Sequence, residues 1–203
     1  MKVVFKLMIL FLLVSCNKKT EENFPEYETQ EELNERITEG KPFFDFDEVV
    51  HYQIEISEEE LSKIETAEEK NEKEQMFFTL MFTGVPKNQK SESVFWKNLD
   101  SIVEFKRIVK SEFLSDLKNK IFTEKKCEDS KGEVSNFSAC APIYRDILIF
   151  RKLNNNVGIA KVCFECGIAN FSKANAITDC FGHNLTNELQ RLENILKENK
   201  KLK

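Results

Sequence analysis

Residues 143–166 read IYRDILIFRKLNNNVGIAKVCFEC, and this stretch decides the fold. Two runs rich in β-branched and aromatic residues, 147–150 and 157–164, flank Leu153-Asn154-Asn155-Asn156. That pattern predicts a β-hairpin, because asparagine tolerates the positive φ a tight turn needs. A type I turn with one left-handed asparagine fits. Setting Lys152 opposite Asn156 makes paired residue numbers sum to about 308, which places Arg145 opposite Cys163 and Pro142 opposite Cys166. Leu148 and Phe150 then lie on one face, Ile147 and Ile149 on the other. Both faces being apolar, the hairpin is expected to sit centrally, covered on each side. Gly158 and Ala160 leave room for a bulky neighbour, such as a helix, to pack closely.

Upstream, residues 48–56 alternate. Val50, Tyr52, Ile54 and Ile56 form one face, and Val49, His51, Gln53 and Glu55 the other, which predicts a half-exposed strand with His51 in solvent. Residues 102–109 (IVEFKRIV) read as a further strand. Thr29 with Glu32 and Ser57 with Glu60 have capping-box spacing and open two helices. Residues 65–75 are almost wholly charged and 76–82 strongly apolar, so the second helix is expected to break near Asn71. A short helix over 94–99 carries Trp96 as a core anchor. Another begins at Ser111 with Phe113, Leu114, Leu117 and Ile121 at helical spacing, and Leu185, Leu189, Leu192 and Leu196 stripe the last. Residues 167–179 look irregular. The fold class is α+β: a mainly antiparallel sheet of about four strands, helices packed on it, and the hairpin near 143–166 at its centre.

The 203 residues suffice for one good-sized domain. The formal charge of −5 offers no basic stripe to neutralise phosphates, so nucleic acid is not an expected partner. Eighteen phenylalanines point to a Phe-rich core.

The amino terminus is a targeting segment. Lys2 and Lys6 precede an apolar run over 7–14 that is too short to span a bilayer, and Leu13-Val14-Ser15-Cys16 follows. LVSC resembles a bacterial lipobox, which implies removal of residues 1–15 and diacylglycerol on the Cys16 sulfur. Residues 16–27 then form the lipidated cysteine and a polar tether, and 28–203 a single α+β domain. Cleavage removes two lysines, so the mature charge is −7 (28 − 35).

Of the six cysteines, Cys16 is committed to lipid. Cys127, Cys140, Cys163, Cys166 and Cys180 remain, an odd number in a compartment that permits disulfides. Cys163 and Cys166 do not bridge in an extended strand. Three residues span roughly 10 Å, beyond the roughly 7 Å limit for a disulfide, and the two side chains point to opposite faces. The register sets Cys140 diagonal to Cys166, so the expected bridge runs from Cys140 to Cys166 or Cys163. Two alternatives stay open. C163-F-E-C166-G followed by C180-F-G-H183 has the spacing of a Cys3His zinc site made by Cys163, Cys166, Cys180 and His183. C-x-x-C is also the motif of thiol exchange, although such pairs favour helix N-termini and this one ends a strand. G-x-S-x-G, H-E-x-x-H, Gly-rich phosphate-loop and EF-hand patterns do not occur.

Lipobox, acidic amphipathic helices, C-A-P-I-Y-R-D-I-L-I-F, an Asn-rich turn and V-C-F-E-C together resemble a group of small uncharacterised lipoproteins of Bacteroidetes-type bacteria. Those place a Cys-x-Pro before a hairpin and C-F-x-C at its end. The matching positions are Cys140, Pro142, Arg145, Phe150, Cys163, Phe164 and Cys166, with Asn155 where the group has glycine. The likeness covers the lipobox and about 140–166. It implies location in the cell envelope and no mechanism. The expectation is a lipoprotein, palmitate-bearing at Cys16, facing the periplasm or the outer membrane. It meets the membrane through its lipid, uses no cofactor, and carries a domain that binds or scaffolds an unknown protein or ligand without catalysis.

Overall fold

The computed structural model describes residues 28–127, 140–182 and 188–201. Cys16, the lipobox, His183 and Leu185 lie outside the described residues. The chain divides into one unit ending at Leu33 and one running from Asn34. In the described part of the first, the Thr29 hydroxyl accepts from the Glu32 amide while the Glu32 carboxylate accepts from Thr29, the capping box that opens α1 (Gln30–Arg36).

From Asn34 onward the fold is α+β. Its elements are β1 (Glu48–Gln53), α2 (Glu58–Thr66), α3 (Glu72–Phe82), α4 (Gln89–Ile102), β2 (Phe105–Ile108), α5 (Ser111–Asp116) running into a π-helical turn (Leu117–Ile121), β3 (Asp146–Lys152), β4 (Asn155–Cys163), β5 (Ile168–Ser172) and α6 (Glu188–Lys201). The strands form one open antiparallel sheet in the order β2-β1-β3-β4-β5. No described helix is long and apolar enough to cross a membrane.

The β3–β4 hairpin occupies the interior of the sheet. From Asp146↔Val162 to Phe150↔Gly158 every pair sums to 308. Beyond Phe150 the register shifts, so that Arg151 meets Asn156 and Lys152 meets Asn155. Val157 is thus the extra residue of a β-bulge. The bulge shortens the connection to Leu153 and Asn154, both at positive φ (48° and 65°), the backbone of a type I′ turn and not the expected type I. A type I′ turn matches the right-handed strand twist, and Leu153 projects into solvent there.

Burial on both faces has a different author on each. On one, Val49, Leu148, Phe150, Ala160 and Val162 pack against α5, its π-helical turn, α6 and Phe43, Phe44 and Phe46. On the other, Val50, Tyr52, Ile147, Ile149 and Ile159 pack against α2, α3 and α4. The neighbour that Gly158 admits is a ring and not a helix: a Cβ there would overlap Phe44, which stacks on Phe150 with centroids 4.3 Å apart. Phe43, Phe122, Phe171 and Phe181 extend this aromatic cluster at 5.0–6.4 Å.

Several expectations need correction. The sheet has five strands; the fifth lies in the stretch that looked irregular, reached through a tight turn that uses Gly167 at φ 66°. β1 is buried throughout its middle, and His51 is 3% exposed, so the alternation did not mark a solvent face. Trp96 is half-buried, and Phe95 and Leu99 of the same helix enter the core instead. The break near Asn71 is complete: α2 stops at Thr66, and Asn71 with Glu74 caps a separate α3. Ile102 belongs to α4, which leaves β2 only four residues.

Candidate functional site

The described cysteines separate into two linked pairs and one thiol. Cys140 and Cys166 form a disulfide with Cα atoms 5.9 Å apart. β4 ends at Cys163, and the turn to β5 places Cys166 on a bend, which frees it from strand geometry to reach Cys140. Cys127 and Cys180 form a second disulfide, Cα atoms 5.1 Å apart, that the sequence reading did not anticipate. Asn34 positions Cys127 by two hydrogen bonds to its backbone. Nearby, the Glu124 carboxylate accepts from the Ile177 and Thr38 amides at 2.8 and 2.5 Å and pairs with Lys41. Burial opposes its charge, but those donors outweigh burial and hold its pKa below the usual value. Cys163 remains a buried thiol.

The two bridges set Cys166 and Cys180 apart from Cys163, and His183 lies outside the described residues. A zinc site needs thiolates, and the Cys166 and Cys180 sulfurs are bonded to Cys140 and Cys127. Among the described residues no three His, Cys, Asp or Glu side chains group closely enough to hold a metal. Thiol exchange through C-x-x-C needs Cys163 and Cys166 to bond each other, whereas Cys166 bonds Cys140 and Cys163 is shut in the core.

Two buried polar groups were missed as such. His51 Nε2 lies 2.7 Å from Asp146 Oδ1, its ring against Phe105. Beside it in the sheet, Arg107 donates to the Asn199 and Lys200 carbonyls at the end of α6, so α6 closes this face. Lys161 is fully buried on the opposite face. Its Nζ donates to the Thr83 carbonyl at the end of α3 and lies 5.0 Å from the Tyr144 ring centre. Among the described residues no carboxylate accompanies it, and burial pushes its pKa down to about 7. Burial, then the neighbouring Cys163, push the Tyr144 hydroxyl up, while Asn170 donates to it and works the other way. These groups close the helix end and the strand edge, and His51, Lys161 and Tyr144 do not line the cleft.

The opening lies elsewhere, at the end of β1. A cleft of about 570 Å³ forms where the β1–β2 ladder stops at Gln53↔Phe105 and α2, α3 and α4 close over the gap. Its floor is apolar, from Ile54, Ile56, Ile64, Phe77, Ile102 and Val103; Glu55, Glu60, Glu74, Glu104, Lys63 and Lys73 form its rim. Most of that rim is already engaged. Glu60 and Glu74 complete capping boxes, and the Ser57 hydroxyl and then its amide hold the Glu60 carboxyl below its usual range. Lys63 pairs with Glu59, Lys73 lies over the Phe77 ring, and Glu55 pairs with Lys200. The volume is that of a small-ligand site, and the mixture of apolar floor and polar rim suits an amphipathic guest.

Comparison with protein-family models, with curated proteins and with solved structures finds no match to this chain.

Proposed function

We propose that the chain is a lipid-anchored protein of the bacterial cell envelope whose domain binds a ligand or partner in the cleft at the end of β1 and performs no chemistry on it. The cleft carries the binding role: about 570 Å³ of apolar-floored space rimmed by charges that serve as helix caps and ion pairs. The extracytoplasmic setting rests on the two disulfides, which persist where the surroundings are oxidising. The anchor rests on the LVSC tetrapeptide behind a charged and apolar leader. One acyl chain holds a protein to a bilayer reversibly, whereas the several chains of a bacterial lipoprotein hold it stably.

The proposal has two separable tests. Cells fed radiolabelled palmitate are expected to label the wild type and not Cys16→Ser; equal labelling of both contradicts the anchor. For the cleft, an amphipathic fragment mixture is titrated into the isotope-labelled protein. The amides of Ile56, Phe77 and Val103 are expected to shift together. If no fragment moves these three, the cleft is not a binding site.

A further inference from the structure

We propose that the cleft takes an extended peptide segment bearing a basic residue, which adds as a strand beside Glu55 where the β1–β2 ladder ends; this rests on the cleft being the binding site.

In an antiparallel sheet successive residues turn their N–H and C=O to alternate sides of the strand. The Val49 carbonyl accepts from the Val109 amide at 2.8 Å, so odd-numbered residues of β1 face β2. The Ile54 amide donates at 2.8 Å to the Arg145 carbonyl on the opposite side, as the same parity requires of an even number. Glu55 therefore turns its backbone polar groups toward β2. No β2 is there to meet them: that strand begins at Phe105, opposite Gln53, and the chain before it turns back into α4, with the Val103 amide bonded to the Leu99 carbonyl. Among the described residues Glu55 has no backbone hydrogen-bond partner. An open ladder position thus borders the cleft.

Two further features select the guest. An unpaired main-chain position beside an apolar floor suits a peptide more than a plain amphiphile. A peptide strand supplies both a matching donor and acceptor and side chains at alternate positions, some directed onto the floor. The charge selects a basic one. Four carboxylates and two ammonium groups line the cleft, and Glu104, exposed at its mouth, has no side-chain partner among the described residues. A lysine or arginine on the guest would complete that carboxylate, whereas an acidic guest would meet like charge.

The test is selection of random heptapeptides displayed on phage against the intact protein, with Glu104→Lys and Glu55→Pro for comparison. Proline removes the Glu55 amide, and the Glu104 substitution reverses the free charge at an exposed position. Selected peptides are expected to carry Lys or Arg with apolar residues at alternating positions. A synthetic consensus peptide is expected to lose at least tenfold in affinity for each variant, and again when its own backbone amides are methylated. Should Glu55→Pro fail to fold, Glu104→Lys and the methylated peptide decide. Selection of acidic peptides, or of peptides that bind Glu104→Lys as well as wild type, overturns the inference. So does a failure to enrich any peptide while fragments still move Ile56, Phe77 and Val103, and in that case the cleft remains a site for something other than a peptide. If neither fragments nor peptides bind, both readings fall.

Discussion

Replacing Cys127 and Cys180 together by serine is expected to lower the unfolding free energy by about 4 kcal/mol, and replacing Cys140 and Cys166 together by about 3 kcal/mol. The order follows from the loops. The first bridge spans 53 residues and the second 26, and the longer closure removes more freedom from the unfolded chain. Cys140 and Cys166 lie inside the larger loop, so the two contributions overlap, and full reduction costs less than their sum. Domains are typically stable by about 5–15 kcal/mol, so losing both bridges removes a large share of stability, and the Phe-rich core is what remains. Urea unfolding of the wild type with and without reductant, beside the two double-serine variants, measures each quantity. A change below about 1 kcal/mol for the 127–180 pair would mean that this bridge does not constrain the unfolded chain as its loop length requires.

Lys161 gives the second large effect, and it depends on pH. Its pKa falls from about 10.4 in an unfolded chain to about 7 in the fold. Between these values the unfolded state holds the proton and the native state does not, so stability rises with pH across that window. Below pH 7 the amine is charged in both states, and the penalty of burying it with one carbonyl and one ring is fully present. From pH 7 to pH 10 the stability of the wild type is expected to gain on that of Lys161→Met by about 2–4 kcal/mol. Met keeps the length of the stem and removes the titration. The comparison cancels Tyr144, whose ring faces Lys161. Thermal or urea unfolding at pH 7, 8, 9 and 10 provides the curve. Parallel pH profiles for the two proteins would show that Lys161 keeps its proton in the fold.

The hairpin was legible because its information is local. Alternation, turn composition and strand length all lie within 24 consecutive residues, and the register follows from them as far as Phe150. The bulge at Val157 was not legible. Three successive asparagines permit several turns, and strand twist, a property of the whole sheet, chooses among them. The capping boxes at Thr29, Ser57 and Asn71 sit where short-range spacing puts them, although Asn71 was recognised only as a break.

What failed was whatever depends on a distant element. His51 looked exposed because alternation reports only that one face is more polar; Asp146 and Phe105, both distant in sequence, are what meet its ring. Lys161 gave no signal, since one lysine in an apolar strand does not reveal that its amine meets the end of α3. The 127–180 bridge joins two loops whose proximity arises from packing around Phe43 and Glu124. The cleft was invisible for the same reason: its walls come from four separate segments, and it exists because β2 is shorter than its apolar run.

Lipid on Cys16, as proposed, two disulfides and a reduced Cys163 are read together in the intact mass of the protein extracted from membranes and alkylated under denaturing conditions, before and after reduction. The expected result is a chain that begins at Cys16 and carries lipid, one alkyl group before reduction, on Cys163, and five after it. A chain that retains residues 1–15, or five alkyl groups without reductant, would contradict it.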